Sequence, residues 1–99
     1  MRCDYWCEAI ALTGDRACWL ARHQATSARL ALRWLKHQTR AMVDQLDASA
    51  ATAGRRWLAD ETAQAEALLL LVEGEWYGLV LADGPTRYLI SARPTGHPQ

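Results

Sequence analysis

The chain has 99 residues, 11 basic and 11 acidic side chains, and 51% apolar residues. This length supports one domain with a modest core, and the apolar content excludes a disordered chain. The neutral total charge excludes a strongly basic nucleic-acid binder of the histone type. Ten Arg against one Lys and eighteen Ala indicate a GC-rich bacterial or mobile-element genome. Because the sequence contains neither a membrane-length apolar run nor a signal-peptide pattern, we expect a cytoplasmic protein.

The first two thirds of the sequence is rich in helix-forming residues and predicts two or three helices. The first covers residues 4–12 and ends at Gly14. Asp15 caps the second, which extends to residue 46 and is long for a domain of this size, so a break near Thr26 and Ser27 is expected. A loop or a helix restart follows at 47–54, where Asp47, Ser49 and Thr52 are candidate caps, and residues 55–66 are predicted to be helical again.

Three short apolar runs follow, at 67–72, 76–82 and 86–92, and they predict a three-stranded antiparallel meander. The Asp83-Gly84 pair indicates a tight turn between the last two. The run at 67–72 is ambiguous, because its four consecutive leucines could equally extend the preceding helix. The predicted fold is α+β: an N-terminal helical region followed by the meander in a single domain over residues 1–92, with a flexible tail over 93–99.

Charge is segregated along the chain. Residues 15–40 contain six basic residues and one acidic residue, whereas residues 41–83 contain two basic and eight acidic residues. Guanidinium groups at helical spacing can bind carboxylates or phosphates through paired hydrogen bonds. Three interpretations stay open: pairing with acidic residues of the same chain, docking on an acidic protein surface, and binding of nucleic-acid phosphates. Five basic residues of the predicted long helix form this stripe: Arg22, Arg29, Arg33, Lys36 and Arg40.

Both faces of the predicted meander are apolar, so the helices can cover one face and the other needs a second layer. That layer is the predicted helix at 4–12, a second copy of the chain, or a protein partner. The sequence has five Trp and no Phe, and Trp is enriched at interfaces. Besides the stripe, the predicted partner-binding residues are Trp34, Trp76 and Leu89. We expect at least a homodimer that associates near Trp76 and Leu89.

The sequence contains no motif for nucleotide phosphates, for a zinc protease or for a serine hydrolase. Cys3 and Cys7 have the spacing of two ligands on one helix face, but no further ligand pair accompanies them, so Cys3, Cys7 and Cys18 are interpreted as packed thiols. His23 and His37 would lie about 21 Å apart on a continuous helix. We therefore predict no catalytic, metal or cofactor site.

These observations predict a non-catalytic protein-interaction module, of the adaptor or inhibitor type. It would dock on a larger protein through the basic stripe and exposed tryptophans. The alternative is a nucleic-acid-associated regulator that binds phosphates through the same stripe; the lack of a stacking platform in the predicted fold counts against it. A third interpretation is a small-ligand pocket lined by tryptophans.

Overall fold

The structure, a computed structural model, describes residues 4–95. Within this range an antiparallel sheet has the strand order β2-β1-β4-β3, and three helices connect its two hairpins. The protein is thus α+β, with strands both before and after the helices. In chain order the elements are β1 (Tyr5–Thr13), β2 (Arg16–Ala25), α1 (Ala28–Val43), α2 (Ala48–Ala59), α3 (Glu61–Val72), β3 (Tyr77–Asp83) and β4 (Thr86–Pro94).

The prediction of an N-terminal helical region is wrong. Residues 4–12 belong to β1, and the predicted helix over 15–46 is a strand followed by a shorter helix. The Ala, Leu and Arg residues of these segments favour a helix locally, but sheet pairing and packing override such propensities. As a consequence, Arg22 lies on β2 and does not share a helix with the other residues of the predicted stripe.

The predicted three-stranded meander is also wrong. Residues 67–72 form the second half of α3, so the four leucines do extend the preceding helix. β4 pairs with β3 on one side and with β1 on the other. In the predicted tail, the Thr95 amide donates to the Asp4 carbonyl at 2.8 Å. Cys3 and residues 96–99 lie outside the described residues.

Both hairpins turn at a glycine with a left-handed backbone. Gly14 has φ 62° and Gly84 has φ 60°, values that residues with a Cβ atom rarely adopt. Asp83 has no positive φ, so Gly84 and Pro85 form the second turn, not the Asp83-Gly84 pair. The residue read in the sequence as a helix end, Gly14, is therefore a hairpin turn.

Each helix begins at a polar capping residue. The side chains of Ser27, Asp47 and Asp60 accept hydrogen bonds from backbone amides in the first turns of α1, α2 and α3. Asp60 also ends α2, so a single residue separates α2 from α3. None of the helices within residues 4–95 is long and apolar enough to cross a membrane.

The three helices pack on one face of the sheet, which we call the covered face. Alternate strand residues point into the core there, because successive side chains of a strand lie on opposite faces. The Tyr5 hydroxyl donates to the Leu71 carbonyl of α3 at 3.0 Å. The centre of this face consists of small or medium side chains that are completely buried: Cys7, Ala9, Ile90 and Ala92.

Cys7 provides a test of the placement of β1. Burial raises the pKa of its thiol from 9.0 to about 11. The folded chain keeps the thiol proton at pH values where the unfolded chain has released it. The free energy of unfolding should therefore fall as pH rises from about 9 to about 11. We expect Cys7→Ala to remove this part of the pH dependence in denaturant unfolding curves.

Alkylation of the folded protein at mildly alkaline pH gives a second readout. Cys18 is exposed on β2 and should react, whereas Cys7 should react only after unfolding. The two thiols can be distinguished by peptide mass spectrometry. Equal alkylation rates for Cys7 and Cys18 in the folded protein would contradict the buried position of β1.

Candidate interaction surfaces

The side of the sheet opposite the helices is the first candidate surface, which we call the open face. The residues of this face follow from the cross-strand register and from the alternation of side chains between the two faces of each strand. A bulge at Leu20 shifts the register of β2 and brings Trp19 to this face instead of the covered face. The strand residues of the open face are Trp6, Glu8, Ile10 and Leu12 of β1, Ala17, Trp19, Arg22 and Gln24 of β2, Gly78, Val80 and Ala82 of β3, and Arg87, Leu89, Ser91 and Arg93 of β4.

A shared carboxylate holds two tryptophans on the open face. The indole N–H groups of Trp6 and Trp19 both donate to Oε1 of Glu8, at 2.8 Å and 3.2 Å. The Arg22 guanidinium lies 5.4 Å from the Trp19 ring centroid, in a cation–π contact. Because these indoles are held before any partner arrives, they lose less conformational entropy on binding than free side chains would.

Trp76 is the third tryptophan on this surface and directly precedes β3. Its six-membered ring lies so close to Gly78 that a Cβ atom at that position would clash with it. Glycine at position 78 therefore lets the indole lie against the strand. Trp19 and Trp76 remain 50% and 52% exposed.

Aliphatic side chains occupy the area among the tryptophans. Ile10 lies between its cross-strand partners Trp19 and Leu89, and it is only 9% exposed although no helix packs on it. Val80 and Leu12 remain exposed at the sides. The open face thus groups apolar side chains that the helices of the described residues do not cover, and we call this group the apolar patch.

The charged strand residues of the open face are one glutamate and three arginines. Arg22 lies on the edge strand β2, and Arg87 and Arg93 lie near the two ends of β4. Glu8 lies nearer the middle and already accepts two indole hydrogen bonds. The arginines border the apolar patch together with the carboxylate of Asp4, which accepts a hydrogen bond from the Gln24 side chain at 3.0 Å, so positive charges outnumber negative ones at its rim.

The second candidate surface is on α1, where it meets the exposed edge of β2. An open groove of about 480 Å³ lies there, and the His23 ring stacks on Trp34 with centroids 6.0 Å apart. Arg33 and His37 line the same groove. His23 and His37 are neighbours of one cavity because β2 ends at Ala25 and α1 begins at Ala28, whereas a continuous helix would separate them.

Four cations of the predicted stripe remain together on α1. They line a second groove of about 580 Å³, bounded by Leu68 of α3. Among the described residues none of them forms an ion pair, and Asp44 pairs with Arg55 at 3.0 Å instead. Intramolecular pairing, one of the three interpretations of the stripe, is therefore not seen for these four: Arg29, Arg33, Lys36 and Arg40.

The predicted partner-binding residues are thus divided between two sides of the molecule. Three of them, Arg22, Trp76 and Leu89, belong to the open face. The others are on α1, in the helical layer: Arg29, Arg33, Trp34, Lys36 and Arg40. A single docking surface that combines the stripe with Trp76 and Leu89 does not exist in this fold.

Sequence reasoning missed Trp6, Trp19 and Glu8, because a helix was predicted over the segments that contain them. No polar–apolar alternation marks this strand in the sequence, because Glu8 is the one charged side chain of residues 5–12. In the structure Tyr5, Cys7 and Ala9 are buried under the helices, Ala11 is half-buried, and the even positions face the other way. The hairpin turn at Gly14 brings β1 beside β2, the strand that contains Trp19.

Asp47 and Asp83 form a carboxylate pair near the start of α2. The hydrogen bond that Asp83 donates to Asp47 raises the pKa of Asp83, whereas the Ala50 amide holds the pKa of Asp47 below its usual value. Asp47 accepts that amide hydrogen bond as the cap of α2, at 2.8 Å. The pair is therefore explained by helix capping and does not indicate acid–base catalysis.

Neither a search for metal ligands nor a comparison with known proteins indicates a function. Among residues 4–95, no group of three or more His, Cys, Asp or Glu side chains is arranged to hold a metal ion. Comparison with known proteins finds no matching protein family, no similar curated protein and no similar solved structure.

The shared Glu8 acceptor predicts a selective change in two indoles. Glu8→Ala removes the acceptor of both hydrogen bonds, so the indole N–H protons of Trp6 and Trp19 should exchange with solvent several times faster, as roughly 1 kcal/mol per lost bond implies. Trp57 is the internal control, because its indole donates to the Tyr77 hydroxyl at 2.7 Å. NMR spectra of the indole region measure all three. Unchanged exchange at Trp6 and Trp19 in Glu8→Ala would contradict the arrangement.

Proposed function

We propose that this chain is a non-catalytic interaction module that docks on a protein partner through its open face. The observation that carries the proposal is the set of three tryptophans on an uncovered sheet face, two of them held by Glu8. Trp and Arg dominate the binding energy of protein interfaces, and both are concentrated here. A carboxylate that orients indoles gives such a surface its shape before binding.

The charges of the open face favour a different protein over a second copy as the partner. The rim carries three arginines, Arg22, Arg87 and Arg93, against the carboxylate of Asp4, and the Glu8 carboxylate is occupied by indole hydrogen bonds. Two copies placed face to face would bring two positive rims together, which is unfavourable. A partner with an apolar centre and a carboxylate border complements both features and would associate faster at low salt.

The open face is small for a protein interface, so a few residues must supply most of its binding energy. Four strands about 4.8 Å apart and about eight residues long, at about 3.3 Å per residue, give roughly 500 Å². A standard interface buries about 800 Å² on each partner. A surface of this size needs strong anchoring residues, and Trp19 and Trp76, each about half exposed, are the anchors that can lose most area to a partner.

Within residues 4–95 no helix covers this surface. The predicted helix at 4–12, which was the intramolecular candidate for a second layer, is the strand β1 of the sheet. All three helices contact the covered face. The homodimer expected from the sequence stays a prediction, and the experiment below distinguishes it from docking on another protein.

Capture of partners from a bacterial lysate tests the proposal when matched variants are compared. Three baits are used: the unchanged chain, Trp19→Ala/Trp76→Ala, and Leu69→Ala/Val72→Ala as control. The control residues lie on α3 and are 57% and 63% exposed, so they remove similar apolar area from another surface. We expect a protein captured equally by the first and third baits and about thirtyfold less by the second, as loss of a hot spot implies.

Rim charges provide the second arm of the same experiment. Replacing Arg87 and Arg93 with Glu should slow association with the captured protein, and higher salt should do the same for the unchanged chain. Circular dichroism and sedimentation accompany each bait. The proposal fails if no captured protein distinguishes the first two baits, or if the species lost is a second copy of the chain itself.

A further inference from the structure

The α1 surface has an aromatic wall that plays no part in the proposed docking. The rings of His23 and Trp34 are parallel within 4°. Leu30 extends the wall and is 44% exposed. Aromatic side chains exposed in a groove can stack on a planar ring of a ligand, and this interaction tolerates many ring types.

Cationic side chains begin where the aromatic wall ends. Arg33 and His37 line both grooves and so connect them. No acidic residue occurs over positions 16–43, and no carboxylate lines either groove. Guanidinium groups without a carboxylate partner are free to bind phosphate oxygens. The further cations of the second groove are Arg29, Lys36 and Arg40.

We propose that the two grooves on α1 form one binding site for a nucleotide. The base extends the stack that His23 and Trp34 form with each other, and the phosphates contact Arg33 and the cations beyond it. Both halves are needed for this specificity, because cations alone bind any polyanion and an aromatic wall alone binds any planar ring. Gln24 is the one open-face residue that also lines the first groove, and none of the variants below alters it, so the site is tested independently of protein docking.

A ligand that joins a base to phosphate can come from two sources. One is a free nucleoside triphosphate, and the other is a nucleotide within a single-stranded nucleic acid. Successive cations on α1 are three to four residues apart, about 5 Å along the helix axis, so they can contact more than one phosphate. The two sources share the same site, and the experiment includes a probe for each.

Titration calorimetry with four probes tests the site directly. The probes are a purine nucleoside triphosphate, the nucleoside without phosphate, inorganic triphosphate without a base, and a short single-stranded oligonucleotide. We expect the intact nucleotide or the oligonucleotide to bind more tightly than either half-ligand. Tighter binding of the oligonucleotide identifies nucleic acid as the source, and equal or tighter binding of the nucleotide identifies the free ligand.

Two variants separate the halves of the site. Trp34→Leu keeps an apolar side chain but removes the ring, and it should weaken binding of the preferred probe about fivefold to a hundredfold. Arg33→Gln/Arg40→Gln alters exposed residues only and should reduce the dependence of affinity on salt, measured between about 50 and 200 mM. Arg16→Gln/Arg56→Gln removes the same charge elsewhere and should change neither result.

Three results would overturn the proposal. The first is that neither the nucleotide nor the oligonucleotide binds. The second is that inorganic triphosphate binds as tightly as the preferred probe, which would leave the aromatic wall without a role. The third is that the Arg16 and Arg56 control weakens binding as much as the Arg33 and Arg40 variant, since binding would then follow net charge only. Circular dichroism confirms that each variant is folded.

Discussion

Pairing between β1 and β4 joins segments that lie more than 70 residues apart, from Tyr5 opposite Pro94 to Thr13 opposite Thr86. Closing so long a loop costs conformational entropy, although the cost grows only slowly with loop length. The burial of Ile90 and its neighbours in the centre of the covered face offsets it. Without this pairing the chain would contain two separate hairpins, and an isolated hairpin is only marginally stable in water.

The same pairing assembles both interaction surfaces. Trp6 and Trp19 come from the first hairpin and Leu89 from the second, and they share one face only because β1 and β4 are neighbours. All three helices are then required on the other face to cover the core. With α1 held there, its cations and Trp34 lie on the opposite side of the molecule from the open face. The fold separates an apolar surface from a cationic one.

The sequence predicted the parts of this fold that depend on local chemistry. The C-terminal hairpin was anticipated from apolar runs around a Gly turn, and the cap of α2, Asp47, was one of three candidate caps in the segment 47–54. The N-terminal hairpin was not, because its strands are rich in Ala, Leu and Arg and its turn glycine resembles a helix end. Partners 70 residues away stabilise β1 as a strand, and no local pattern encodes that contact.

The candidate sites were predictable to a similar extent. Four cations of the stripe share a helix as expected, because helical spacing over residues 29–40 is a local property. Arg22 was assigned to the wrong surface, since its position depends on the strand assignment of β2. The link between Glu8 and the indole of Trp19 depends on a bulge at Leu20, which moves one side chain from one face to the other.

Cross-strand NMR contacts show whether β1 and β4 are neighbours in the sheet. Their pairing predicts a ladder of nuclear Overhauser effects between the two strands that follows the register from Trp6 opposite Arg93 to Leu12 opposite Arg87. It also predicts slow amide exchange in both strands, because they occupy the centre of the sheet. A helical pattern of contacts over residues 5–13, or a β4 paired with β3 alone, would contradict it.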